Sequence, residues 1–163
     1  MKKAFRLSFL SALALGAGWH FLYRAVPCPL TALLAPVNES VWEHLKLLFY
    51  PPLLCALVLS FRWSGSRRTY WSGALAGTLA MPPILLGLYY PLTAGFSVPA
   101  ASALNILLYV FVMLCGWSLW AYLMKTGRAD RFLGLLVITA GVFWAALTVF
   151  TAAAPPLRIF IAK

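Results

Sequence analysis

The chemistry available to this chain rests on very few side chains. Among 163 residues there are three acids and two histidines: Glu39, Glu43 and Asp130, with His20 and His44. Three of these five fall within one short run, Pro36-Val37-Asn38-Glu39-Ser40-Val41-Trp42-Glu43-His44-Leu45-Lys46-Leu47. Carboxylates and imidazoles together can exchange protons near neutral pH, and they ligate zinc- or iron-class metals. On a helix Glu39, Glu43 and Lys46 occupy positions i, i+4 and i+7 and share one stripe, so two carboxylates and an ammonium would face the same neighbour. His44 lies about 100° around such a helix from Glu43. The plain alternative is capping. Asn38 suits an N-cap, Ser40 with Glu43 three residues on reads as a capping box, and acids in a first turn complement the helix dipole.

The elements that must position these residues are membrane helices. Of the residues, 63% are hydrophobic and 10% charged, against about 45–50% apolar and about 25% charged in a soluble domain. Charge this sparse covers helix ends and leaves the sides to lipid. Five stretches reach the length of about 20 apolar residues that a span needs: residues 4–26, 39–61, 70–92, 101–124 and 132–153. The expected fold is therefore all-α, a single integral membrane domain over residues 1–163 built as a five-span bundle. Lys2 and Lys3 before an apolar run resemble a signal peptide, but the run continues through Trp19 to Val26, so we read it as a span.

Basic residues orient the bundle. Of thirteen Lys and Arg residues, Lys2, Lys3, Arg6, Arg62, Arg67, Arg68, Lys125, Arg128 and Arg131 all fall on one side if five spans exist. Arg24, Lys46, Arg158 and Lys163 are the remainder. The positive-inside rule then puts the N-terminus in the cytoplasm and the C-terminus outside. A net charge of +10 reflects these loops, and no basic stripe outside them indicates nucleic acid. Cys28, Cys55 and Cys115 have no metal or disulfide spacing.

The topology gives the polar residues a common depth. With about 1.5 Å per residue, His20 lies about 9 Å, and His44 about 7–8 Å, below the outer boundary. Asn105, Thr148 and Thr151 reach a similar level. Ionisable groups at that depth face a bundle interior or a water-filled cavity. We therefore expect an outward-facing polar pocket formed by His20, Asn38, Glu39, Trp42, Glu43, His44, Lys46 and Asn105, rimmed also by Tyr23. His20, Glu39, Glu43 and His44 are the candidate metal ligands, although no H-E-x-x-H run is present. Pro51-Pro52 and Pro82-Pro83 should interrupt the second and third spans, as at transporter binding sites. Small residues at Ala12, Gly16, Gly18, Gly73, Gly77, Gly134 and Gly141 favour close helix packing within the chain or in a homo-oligomer.

The Pro36-to-Leu47 run, with His20-Phe21-Leu22-Tyr23 upstream, resembles the signature of a family of small bacterial membrane proteins of unknown function. That resemblance implies a multi-pass protein of the bacterial cytoplasmic membrane and no particular chemistry. Three functions fit the residues: binding or transport of a small ligand with a homo-oligomeric or partner subunit, metal-dependent hydrolysis within the membrane, and a non-catalytic role in a membrane complex.

Overall fold

A computed structural model describes residues 2–95 and 102–161. All regular elements among them are helical. The α-helices are α1 (Lys2–Trp19), α2 (Leu22–Ala25), α3 (Pro29–Leu34), α4 (Val41–Ser60), α5 (Arg67–Tyr90), α6 (Ser102–Thr126) and α7 (Leu133–Ala152), with a short π-helix at Pro91–Gly95 and single 3-10 turns at Asp130–Phe132 and Arg158–Phe160. Four segments are long and apolar enough to cross a membrane: Val41–Ser60, Arg67–Thr93, Ala103–Thr126 and Asp130–Ala152.

The first helix departs from the continuous span expected over residues 4–26. It stops at Trp19, the chain turns at His20 and Phe21, and α2 is a single turn. Eighteen residues reach about 27 Å, and the first turns of α1 carry Lys2, Lys3 and Arg6. Tertiary contact accounts for the stop. The Trp19 indole N–H donates to the Leu34 carbonyl at 2.8 Å, and Arg24 sits in an exposed ion pair with Glu39. A helix continued straight past Trp19 would carry Arg24 away from Glu39.

Local chemistry sets the other ends. Ser40 caps α4 and accepts from the Glu43 N–H, while Asn38 Oδ1 accepts from the Ser40 N–H at 2.9 Å. Ser66 caps α5 in the same way through the Thr69 N–H. Gly127, at φ +63°, ends α6 in the left-handed conformation that only glycine adopts at little cost. The prolines do not break their helices. Both α4 and α5 run through them, with Pro51, Pro52 and Pro82 buried. Each proline still withholds an N–H, so the Leu47, Leu48, Thr78 and Leu79 carbonyls lose their helical donor. Packing on both sides holds the helix against a local cost of about 3 kcal/mol.

Glycine brings α5 and α6 together. A methyl group on Gly77 would come within 2.5 Å of the Gly116 carbonyl oxygen, and one on Gly73 within 2.8 Å of the Trp120 ring. Tyr70, Met81, Val112, Met113, Trp117 and Trp120 fill the adjoining core. Phe5 of α1 lies against Trp117 and Trp120, whereas His20 at the other end of α1 meets His44 near the start of α4. The start of α1 thus shares one end of the bundle with the α4–α5 and α6–α7 connections. Asp130 ties that end together, accepting from Thr69 Oγ1 at 2.6 Å and Ser72 Oγ at 2.8 Å. Helix α7 is peripheral, with Leu147 as its buried residue and open space beside Gly134 and Gly141.

The opposite end is organised by one buried cation. Lys46 is fully buried. Its Nζ donates to the Ala32 carbonyl at 2.6 Å, the Ala35 carbonyl at 3.1 Å and Glu43 Oε2 at 2.7 Å, which uses all three ammonium protons. The Tyr50 hydroxyl donates to Leu33 O, as the Trp19 indole does to Leu34 O. The carbonyls of Ala32, Leu33, Leu34 and Ala35 are therefore all capped by side chains of α1 and α4. These are carbonyls that the end of a short helix leaves without intrahelical donors. A cation there also faces the negative end of the α3 dipole. Glu43 is satisfied as fully, for Oε2 also accepts from the Val37 N–H at 3.0 Å and Oε1 from Thr151 Oγ1 at 2.8 Å.

Two outcomes follow for stability in detergent. Lys46→Met should destabilise the fold by about 3–5 kcal/mol because it leaves Glu43 charged, buried and short of its cation, and adding Glu43→Gln should restore part of that loss. Chemical denaturation of the two variants checks this, and equal losses in single and double variants would remove the ion-pair account. Gly77→Ala should lower the thermal midpoint by separating α5 from α6, whereas Gly141→Ala should be neutral or stabilising by up to about 1 kcal/mol. Parallel melting curves test the pair, and similar curves for both would contradict the packing described.

Candidate functional site

The residues of the Pro36-to-Leu47 run divide into two groups with different surroundings. The division begins at Ser40. Because Ser40 is the N-cap, α4 starts at Val41 and Glu39 lies outside the helix. The common stripe expected for Glu39, Glu43 and Lys46 therefore does not form. Glu43 and Lys46, as an i, i+3 pair, turn toward α3 and α7 and are consumed in the clamp. Glu39 turns the other way, toward α1 and the turn that follows it.

On that side three groups converge. His20 Nε2 stands 3.7 Å from Glu39 Oε1, and His44 Nε2 stands 3.6 Å from Glu39 Oε2. The two imidazole rings are 5.1 Å apart, centroid to centroid. One ligand atom from each of the three residues can be chosen so that all lie within 4.8 Å of one another. Arg24 donates to Glu39 Oε1 at 2.8 Å from the outer side. The side chains of His20, His44 and Glu39 keep 22%, 31% and 44% of their exposure, so the cluster is reachable, in contrast to the clamp at 0% and 3%.

The backbone fixes the state of one ring. His44 Nδ1 lies 2.7 Å from the Ser40 carbonyl oxygen. A carbonyl can only accept, so Nδ1 carries the proton and, in the neutral ring, Nε2 presents its lone pair toward Glu39. Burial, helped by the neighbouring His44, holds His20 below the ordinary histidine value against the opposing pull of Glu39. His20 sits in the turn beyond α1, so this partial burial comes from the protein around it.

The cluster forms one end of a cavity of about 540 Å³. Gly16 and Ala17 of α1, Val41, Leu47 and Leu48 of α4, Leu85 and Tyr89 of α5, and Ile106, Leu108 and Tyr109 of α6 make most of its wall. Asn105 and Phe21 complete it. Gly16 is needed here because the Tyr109 ring lies against it, leaving no room for a side chain. Leu47 and Leu48, whose carbonyls lose donors to Pro51 and Pro52, border this space.

Of the residues expected to line one pocket, His20, Glu39, His44 and Asn105 border this cavity. Glu43 and Lys46 do not, since each is fully hydrogen-bonded elsewhere. Asn38 serves the α4 cap, and Trp42 meets Phe143 and Phe150 edge-to-face and Phe160 at a tilt, on the α7 side. Glu43 is likewise unsuited as a metal ligand here, because Val37, Lys46 and Thr151 occupy both carboxylate oxygens. Sequence reasoning missed Arg24 and Tyr109. Arg24 carried one usable signal, as a cation outside the three clusters in which most Lys and Arg residues fall.

The family of unknown function DUF6512 matches residues 1–163. No curated protein matches the chain, and no solved structure does. The chain belongs to the family DUF6512, whose function is unknown, and its candidate site must be read from its own geometry.

Proposed function

We propose that this chain is a multi-pass protein of the bacterial cytoplasmic membrane that binds a small amphipathic ligand in the cavity between α1, α4, α5 and α6. The observation that carries this reading is the one-ended polarity of the cavity. Aliphatic and aromatic side chains make most of the wall, and His20, Glu39 and His44 sit together at one end. The volume of about 540 Å³ falls within the roughly 300–1,000 Å³ typical of small-molecule sites. An apolar body would occupy the space between the helices, with a polar group at the cluster. The continuity of α4 and α5 through their prolines favours a preformed binding cavity over a hinged carrier.

In this reading α1 is a fifth, short span, and the N-terminus lies in the cytoplasm. The shared bundle end of the α1 start with Arg62, Arg67, Arg68, Lys125, Arg128 and Arg131 supports that orientation. The cluster then lies at the extracytoplasmic end.

Two measurements test the proposal. Native mass spectrometry of the tag-free protein, extracted from bacterial membranes in mild detergent, should show about one bound organic molecule per chain. Leu85→Trp, which fills the cavity, should reduce its occupancy at least tenfold. Wild-type protein that carries no such molecule and takes up none from a lipid extract would refute ligand binding. For orientation, the Cys28 thiol is held below the ordinary cysteine value by its hydrogen bonds to Thr31, which favours the reactive thiolate. In a Cys55→Ala, Cys115→Ala background, a membrane-impermeant maleimide should label Cys28 in intact spheroplasts. Labelling that requires permeabilisation would reverse the topology.

A further inference from the structure

The geometry points to a divalent transition-metal site of the zinc class formed by His20, Glu39 and His44, with a fourth position open to the cavity. The proposal deepens the binding reading above by supplying what would hold the polar group of the ligand, but the metal can be measured without that ligand.

The donor arrangement carries the argument. Zinc bonds of about 2.0–2.1 Å in a tetrahedral site put neighbouring donor atoms about 3.3 Å apart. Here His20 Nε2 lies 3.7 Å from Oε1 and His44 Nε2 3.6 Å from Oε2 of the one carboxylate, and a set of one donor atom per residue falls within 4.8 Å. Bringing one Glu39 oxygen and one nitrogen of each ring from within 4.8 Å to that spacing takes a contraction of no more than about 1.5 Å along any edge. Each of the three donors comes from a different stretch of chain, the turn after α1, the residue before the α4 cap, and the first turn of α4.

The separations are also too long for direct hydrogen bonds. His44 Nε2 presents a lone pair to a carboxylate when the ring is neutral, so the gap between them favours a cation. His44 already has the outer partner that metal-binding histidines use, since its Nδ1–H donates to the Ser40 carbonyl at 2.7 Å. That contact fixes both the tautomer and the ring direction. Arg24, whose side chain is 66% exposed, holds Glu39 Oε1 from outside and leaves Oε2 facing His44. It is positioned to orient the carboxylate while the metal takes the other oxygen. Two imidazoles and one carboxylate suit zinc and its neighbours in the transition series better than calcium or magnesium, which prefer oxygen donors. Three protein ligands leave a coordination position for water or for an anionic oxygen group of a ligand.

The test uses the full tag-free chain in detergent, stripped with a chelator and titrated with Zn²⁺ alone against a competing fluorescent indicator. One Zn²⁺ per chain with submicromolar affinity is expected. His20→Asn, Glu39→Gln and His44→Asn should each weaken binding at least 100-fold, while Asp130→Asn, at the other end of the bundle, should leave it unchanged. His44→Asn keeps an N–H donor for the Ser40 carbonyl, so folding can be preserved, and circular dichroism with gel filtration verifies it. Co²⁺ substitution of the wild type gives an answer independent of the variants, with the intense visible bands of four-coordinate cobalt expected. Zinc uptake that is unsaturable or substoichiometric, binding unchanged in the three ligand variants, or weak six-coordinate cobalt bands would overturn the site. Leu85→Trp separates the two readings. Zinc bound in both wild type and Leu85→Trp without any organic molecule upholds the metal and rejects the ligand cavity. An organic molecule bound by a wild type that takes no zinc rejects the metal alone.

Discussion

A lysine with no exposed surface governs the arrangement of the bundle end that holds α3. Moving an ammonium ion out of water costs several kcal/mol even after relaxation, and Lys46 offsets that cost with three hydrogen bonds. One goes to Glu43 and two to the end of α3. The ammonium thereby satisfies a buried carboxylate and two orphan carbonyls at once. Trp19 and Tyr50 satisfy the two carbonyls between them. The α3 segment is bound to α1 and α4 through its backbone, whatever its own side chains are. Thr151 adds α7 to the same network through Glu43. Three helices, α3, α4 and α7, thus meet at one ion pair, and α1 joins them through the Leu34 carbonyl.

The clamp has a second consequence, which concerns Glu39. With Glu43 and Lys46 turned toward α3 and α7, and Ser40 fixed as the cap, residue 39 must leave the helix on the other side. There it meets His20, which the turn after α1 presents at the same level. The stop of α1 at Trp19, made by the indole bond to Leu34, is part of the same construction. The structural ion pair and the accessible cluster are therefore built from neighbouring residues, with opposite environments. One is dry and saturated with partners. The other is half exposed, and its histidine–carboxylate separations are longer than hydrogen bonds.

Backbone chemistry shapes the cavity beside the cluster. Gly16 lets Tyr109 approach α1, and the glycine contact between α5 and α6 holds those helices close near the other end of the bundle. Helix α4 runs on through Pro51 and Pro52, which free carbonyls on its cavity-lining turn. In hydrocarbon such carbonyls are tolerated only where protein surrounds them, and Leu47 and Leu48 are both buried. The cavity is thus an outcome of where close approach was permitted by missing side chains.

The sequence by itself determined that the chain is helical and apolar enough to span a membrane, where four of its long helices lie, and how few ionisable side chains it holds. Those properties follow from local quantities: apolar run length, cap residues such as Ser40 and Ser66, and the scarcity of acids and histidines. It did not determine the stop of α1 at Trp19, the continuity of α4 and α5 through their prolines, or the split between Glu39 and Glu43. Helical periodicity placed both acids on one stripe, a valid inference only if the helix begins before Glu39. The choice of cap, between Asn38 and Ser40, lay below what local propensity resolves, because both residues are good N-caps. Tertiary structure decided it. The Val37 N–H donates to Glu43, which Lys46 and Thr151 hold in place, and this keeps the preceding chain out of the helix, so that α4 starts at Val41 and Glu39 faces the histidines.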